Sequence, residues 1–397
     1  MNRSLALVTY STKPRGGVVH TLSLAEALHD AGVSVHVVTL GEPGQGFFRP
    51  THVPHTVLAA PPRTGSLEDR VFASVDALAE GLAAIDRFDI LHTQDCISAR
   101  AAARVRDAGA PVTVVRTVHH VDDFTTPALI DCQRRSILEP DRVLVVSEYW
   151  RTVLRSEYGV DALVVRNGVD PLRFAPIPAQ RRAALRGRIG AGDRFLFLAV
   201  GGIEPRKGTV ELFEAMGRLK VSLPHPPVLA VIGGHSFQDY APYRDTALAR
   251  LPELGLDLGR DVVLLGTVPE SELGAWYRAA DALAFPSVKE GWGLAVLEAM
   301  SADLPVIASD LPVFREYLTH GHDALLTPVG DSRALAEAMR SVASDAGLRG
   351  RLRAGGRALV SRFTWPASAA QHRAIYETIR SARAAPAGAG PRRSRRS

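Results

Sequence analysis

One rhythm constrains the fold of this chain more than any other feature. Short apolar runs at residues 5–10, 33–40, 90–93, 112–118, 143–146 and 162–166 alternate with helical periodicity over 18–31, 67–85, 97–108, 127–138 and 149–158. Runs so short and apolar suit strands buried on both faces, and strands joined through helices lie parallel in one sheet. The rhythm breaks at the proline-punctuated stretch 174–178 and then resumes. Strand-like runs return at 195–200, 228–232, 262–265, 282–285 and 306–308, helices at 209–220, 243–251 and 270–280, and helical patterns dominate from Ser332 onward. No repeat of fixed period is present. The class is therefore α/β, with two parallel-sheet domains over 1–172 and 178–365. In open sheets of this kind ligands sit beyond the carboxyl ends of the strands, so the cleft between two such domains is the expected site.

The totals narrow the class further. A length of 397 residues suits two cores, and 46% hydrophobic with 22% charged residues is the balance of a globular protein, not a disordered one. No apolar run is long enough to span a bilayer, and residues 1–10 lead straight into a strand instead of forming a signal peptide, so the expected compartment is cytoplasmic. Cys96 and Cys132 lack metal-ligand spacing and read as free thiols. The net charge of +5 comes partly from a basic tail at 386–397, expected to be disordered and solvated. No nucleic-acid partner is expected; basic side chains leave contact with a membrane surface open.

The stretch 286–300 carries the clearest chemistry. It runs from the proline that ends a strand, through Gly291 and Gly293, into a helix opening near Gly293. Unpaired amides at such a start suit an anionic or hydroxyl-rich ligand. Glu290 on the turn and Glu298 roughly one helical turn in can each accept paired hydrogen bonds from vicinal hydroxyls. The same spacing also fits a dipole partner and a solvated helix face.

Three more strand-end loops stand out. Gly16 and Gly17, after Lys13 and before a helix, let backbone amides approach a phosphate closely, or form an ordinary turn; no dinucleotide fingerprint is present. His119 and His120 follow a strand, where an imidazole can bond a sugar hydroxyl or a reacting oxygen, or serve structure alone; further metal ligands are not evident. Gly201 and Gly202 precede Arg206 and Lys207, which together give backbone room, a bidentate donor and a point charge for a diphosphate. Gly208 in place of Ser or Thr argues against Walker chemistry.

In this order the motifs resemble those of a group 1 glycosyltransferase with the GT-B arrangement, two Rossmann-like domains whose parallel sheets face each other across a cleft. The likeness rests on Glu290 and Glu298 with seven residues between them, on Gly16-Gly17, His119-His120, Ser147, Asn167-Gly168-Val169-Asp170 and Pro205-Arg206-Lys207-Gly208, and it covers the chain except the tail. The resemblance implies that Lys207 binds the donor diphosphate and Glu298 the ribose. Glu290 and the amides of Gly291, Trp292, Gly293 and Leu294 would hold the transferred sugar, and His119 or His120 would contact it near the anomeric centre. The family usually has an arginine where this chain has Gly202, and Arg206 is the candidate substitute. A C-terminal helix over about 367–384 would return to the first domain.

The implied activity is retaining, metal-independent transfer from a UDP-, GDP- or ADP-linked sugar, a co-substrate with no cofactor required, to an acceptor that is a small molecule, glycan or lipid. Acceptor choice is expected in loops 41–49 and 122–127. A GT-B epimerase or phosphorylase, or a non-catalytic nucleotide-sugar-binding protein, would use a similar cradle.

Overall fold

The computed structural model describes residues 4–85, 87–234, 238 and 240–384, so the basic tail at 386–397 lies outside the described residues. The first half forms a seven-stranded sheet from β1 (Ser4–Thr9), β2 (Val35–Gly41), β3 (His55–Ala59), β4 (Phe88–Thr93), β5 (Thr113–Val118), β6 (Arg142–Val145) and β7 (Leu163–Val164), in the order β3-β2-β1-β4-β5-β6-β7. The second forms a six-stranded sheet from β8 (Leu196–Val200), β9 (Val228–Ile232), β10 (Val262–Gly266), β11 (Ala282–Phe285), β12 (Val306–Ser309) and β13 (Ala324–Thr327), in the order β10-β9-β8-β11-β12-β13. The paired strands in both sheets are parallel. This is the two-sheet α/β architecture expected from the alternation.

Period-two side-chain direction explains why the strands read as unbroken apolar runs. In β1, Leu5 and Leu7 enter one core with Leu24 and Leu28 of the helix Gly16–Asp30, while Ala6 and Val8 enter another beneath the helices Leu67–Ile85 and Cys96–Asp107. In β8, Leu196 and Leu198 face one core and Phe197 the opposite one.

Three elements depart from the sequence expectation. β3 sits at a sheet edge with no fully buried residue, so it lacks the apolar run that marks the other strands. The helix Ala179–Arg188 is rich in arginine; it buries Leu185 and Arg186, whose guanidinium bonds Asp281 Oδ2 at 3.0 Å and the Ala279 carbonyl at 2.9 Å. β13 is four residues long and follows a loop.

The chain crosses between the halves twice. On the return, the helix Trp365–Ala384 lies on the first half: Trp365, Ala369, Tyr376 and Ile379 join the core that holds Leu24 and Leu28. Arg380 donates to both carboxylate oxygens of Asp89, at 2.8 and 3.0 Å. Beside the crossing, the Val169 amide donates to the Phe363 carbonyl at 3.1 Å.

Candidate functional site

Both sheets reverse their strand order once, between β1 and β4 and between β8 and β11. A crevice forms where neighbouring connections leave on opposite faces, and ligands of open α/β sheets bind there. The loops singled out in the sequence follow β1, β5, β8 and β11, all at carboxyl ends.

After β8, a short 3-10 turn, Pro205–Lys207, delivers two cations to one spot. Lys207 Nζ donates to Glu290 Oε1 at 2.6 Å and stands 4.8 Å from the centre of the Phe285 ring. Arg206 donates from Nε to Glu204 Oε2 at 3.0 Å, and its Nη1 lies 3.7 Å from Glu290 Oε1. Burial pushes the Lys207 ammonium below its ordinary pKa against the pull of Glu290. Burial also pushes the Glu290 carboxyl up, but Lys207 and Arg206 together outweigh it and hold the group below its usual range. The helix Thr209–Ser222 begins just beyond with no side-chain cap, leaving first-turn amides and dipole facing the same region.

A Cβ at Gly202 would stand 2.7 Å from the Gly234 carbonyl oxygen. No side chain fits there in this backbone arrangement, arginine included. Arg206 is therefore the guanidinium that reaches the Glu290 carboxylate from this loop.

After β11 the chain turns into the helix Leu294–Ser301, with Gly293 at the N-cap in the left-handed region, φ 86°. Glu298 is buried and accepts the Tyr277 hydroxyl at 2.8 Å. Burial raises its carboxyl pKa, and the charge of Arg173, itself ion-paired with Glu270, opposes the rise.

The Trp292 side chain turns away from the cleft. Its indole packs in the core against Tyr317 and Phe363, with ring centres 4.7 and 5.3 Å apart, and its carbonyl accepts the Tyr317 hydroxyl at 2.7 Å. A large apolar ring gains more from that core than from a polar cleft. Only its amide is left to face a ligand.

On the first half, Gly16 and Gly17 stand in the first turn of their helix, not in a loop ahead of it. Arg15 at the N-cap makes no side-chain cap, and a Cβ at Gly16 would meet nothing within 4 Å, so the helix start is open. His119 closes the gap between the halves: its carbonyl oxygen would lie 2.1 Å from a Cβ at Gly291, and its Nε2 is 3.1 Å from Gln94 Oε1. His120 turns to Asp122, 3.2 Å away.

Behind His119 lies a group of buried histidines that periodicity did not reveal. The His20 ring meets His119 edge-on at 4.6 Å and holds Asn167 Oδ1 through Nδ1 at 2.9 Å. His92 bonds Tyr376 Oη at 2.6 Å and Thr117 Oγ1 at 2.7 Å, and His372 stacks beside it at 5.5 Å. Burial drives His20, His92 and His119 well below the ordinary imidazole range and His372 down to about 4.

Several side chains bridge the two halves. Lys289 Nζ donates to Asp123 Oδ1 at 2.7 Å, and the Trp150 indole N–H donates to the Glu290 carbonyl at 3.0 Å. Glu316 accepts the amides of Glu148 and Tyr149 at 3.0 and 2.8 Å. These partners are up to 168 residues apart, so no local pattern in the sequence announces them. Among the described residues, the group His29, Asp30 and His52 has metal-type ligands close together, exposed and at the opposite end of the Gly16–Asp30 helix from the cleft.

Comparison with known proteins finds relatives over most of the chain. Residues 182–359 match the family described as "Glycosyl transferases group 1" and residues 14–173 match "Glycosyltransferase Family 4". The chain is 31% identical to a phosphatidyl-myo-inositol mannosyltransferase of Mycolicibacterium smegmatis, over 93% of this chain and 92% of that one. It is 30% identical to a D-inositol 3-phosphate glycosyltransferase of Xylanimonas cellulosilytica, over 92% of each. Among solved structures it is similar in fold to sucrose-phosphate synthase from Thermosynechococcus elongatus, with a TM-score of 0.80 at 24% identity over 96% of this chain and all of that one. It is likewise similar to Anabaena HepE in complex with UDP-glucose, with a TM-score of 0.77 at 19% identity over 96% and 100%.

Proposed function

The chain belongs to the group 1 glycosyltransferases, and from that premise we propose that it transfers a sugar from a nucleotide-sugar donor to a phosphate-bearing cyclic polyol, free or lipid-linked. The observation that carries the donor half is the convergence of Lys207, Arg206 and Glu290 beside an uncapped helix start at the β8–β11 crevice. Two cations and oriented amides suit a diphosphate, which competes with Glu290 for Lys207. Glu298 takes the ribose hydroxyls, and Glu290 with the amides of 291–294 takes the sugar. We assign His119 as the histidine at the sugar, since its backbone packs against Gly291 and its ring lies beside the open helix start, 3.9 Å from where a Cβ at Gly17 would stand. The acceptor reading is supported by the names of the relatives, which act on phosphatidyl-myo-inositol or D-inositol 3-phosphate.

The proposed chemistry retains configuration and requires no metal ion. The acceptor hydroxyl attacks the anomeric carbon from the face that the diphosphate leaves. The bond from that carbon to the β-phosphate oxygen breaks as the new glycosidic bond forms, and the hydroxyl proton passes to the departing phosphate. Lys207 and Arg206 stabilise the charge growing on that phosphate, the task a divalent ion performs elsewhere. No helix among the described residues is long and apolar enough to cross a membrane.

The test is product analysis with UDP-, GDP- and ADP-sugars against inositol phosphates and phosphatidylinositol vesicles, with and without EDTA. A glycosylated polyol with the anomeric configuration of the donor, formed equally in EDTA, is expected. An inverted product, or one formed without acceptor, would overturn the reading.

A further inference from the structure

Away from the cleft, where the chain crosses between the halves, a groove of about 240 Å³ lies open to solvent. That is smaller than a drug-sized pocket but has room for a phosphate group. One wall carries Arg166 and Asn167 from the outgoing crossing; the other carries Arg362, Ser368 and Gln371 from the return, with Glu316 at the side. None of these belongs to the donor cradle.

The groove has unspent donors. Arg362 has no acidic partner among the described residues and rests 5.9 Å from the Phe363 ring. Arg166 has Glu316 at 3.7 Å, but that carboxylate is already engaged by the amides of Glu148 and Tyr149. Ser368 is 4% exposed, and its hydroxyl is buried without a hydrogen-bond partner. Leaving such a group unpaired is unfavourable, and a ligand oxygen would satisfy it. Ser368 also stands in the first turn of the 20-residue helix Trp365–Ala384, whose positive end faces the groove.

We propose that this groove is a second binding site, for the phosphate group of a small phosphorylated metabolite. Two guanidiniums and a hydroxyl give planar forks and a short donor, a set that matches the three acceptor oxygens of a phosphate. Bound there, the phosphate ties the outgoing crossing to the returning one and fixes how the halves sit. It also touches Asn167, which holds His20, on whose ring His119 rests. The site is thus placed to modulate transfer without touching the donor.

The test is thermal unfolding in inorganic phosphate, against chloride at matched ionic strength, for the unaltered chain and for Arg362→Gln, Ser368→Ala and Lys207→Ala. Ligand that binds only the folded state raises the melting temperature. The expected result is a saturable rise in the unaltered chain and in Lys207→Ala, with apparent affinity weakened at least tenfold in Arg362→Gln and reduced in Ser368→Ala. An equal rise in Arg362→Gln, loss of the rise in Lys207→Ala, or no rise in the unaltered chain overturns the proposal. The Lys207 arm separates this site from the diphosphate cradle, so either can fail without the other.

Discussion

Mild acid is expected to destabilise this protein sharply, and the buried histidines set the size of the effect. His20, His92, His119 and His372 are all held neutral by burial. The unfolded chain takes up protons on these rings near the ordinary imidazole pKa of about 6.5, while the folded chain does not. Stability therefore falls as pH falls through that value. Between pH 7.5 and 5.5 each ring that stays neutral in the folded state contributes a loss of about 1.4 kcal/mol, and the four together about 5 kcal/mol. That is comparable to the whole stability of many domains. Urea unfolding at the two pH values, followed by tryptophan fluorescence, measures it. Asp95 and Glu298, whose carboxyls burial pushes up, act in the opposite direction, so a variant isolates the histidine share. His372→Leu removes one titrating ring whose Nε2 has no partner, and should shrink the pH-dependent loss by about 1.4 kcal/mol. A pH-independent midpoint, or an unchanged loss in that variant, would refute the reasoning.

Three further outcomes follow from the cleft. Lys207→Ala should lower turnover about tenfold or more while circular dichroism stays unchanged, because Arg206 remains 3.7 Å from Glu290; unimpaired turnover would remove Lys207 from charge stabilisation. Glu298→Gln keeps an acceptor for Tyr277 but removes a buried charge. Its raised pKa means stability is lost as pH rises from about 4.5 through the folded value, so the variant should melt above the unaltered chain at pH 8 but not at pH 4, with a weaker donor KM. Gly202→Arg, which restores the residue usual in the family, should cost about 1–3 kcal/mol in urea unfolding and not improve donor affinity, because its Cβ meets the Gly234 carbonyl.

Much of the fold was legible because buried parallel strands and amphipathic helices impose local periods. β3 was not, since an edge strand with exposed ends shows no apolar run, and the helix Ala179–Arg188 was hidden by its arginines. The site divides the same way. Lys207, Glu290 and Glu298 announce themselves through glycine-rich strand ends, whereas His20 and Gln94 are single polar residues whose partners, Asn167 and His119, stand 147 and 25 positions away. Trp292 divides by atom: its size sends the indole into the core, while the role the motif implies for it concerns its backbone amide.

The helix Trp365–Ala384 also orders events during synthesis. It completes the core that Leu24 and Leu28 begin, yet the ribosome makes it about 200 residues after β7. At typical elongation rates of about 5–20 residues per second, the first sheet waits on the order of 10–40 s with that face uncovered. A chaperone that shields apolar surface would meet the nascent chain in this interval. A stop codon ahead of Trp365 would leave the first half, not the second, without its closing layer.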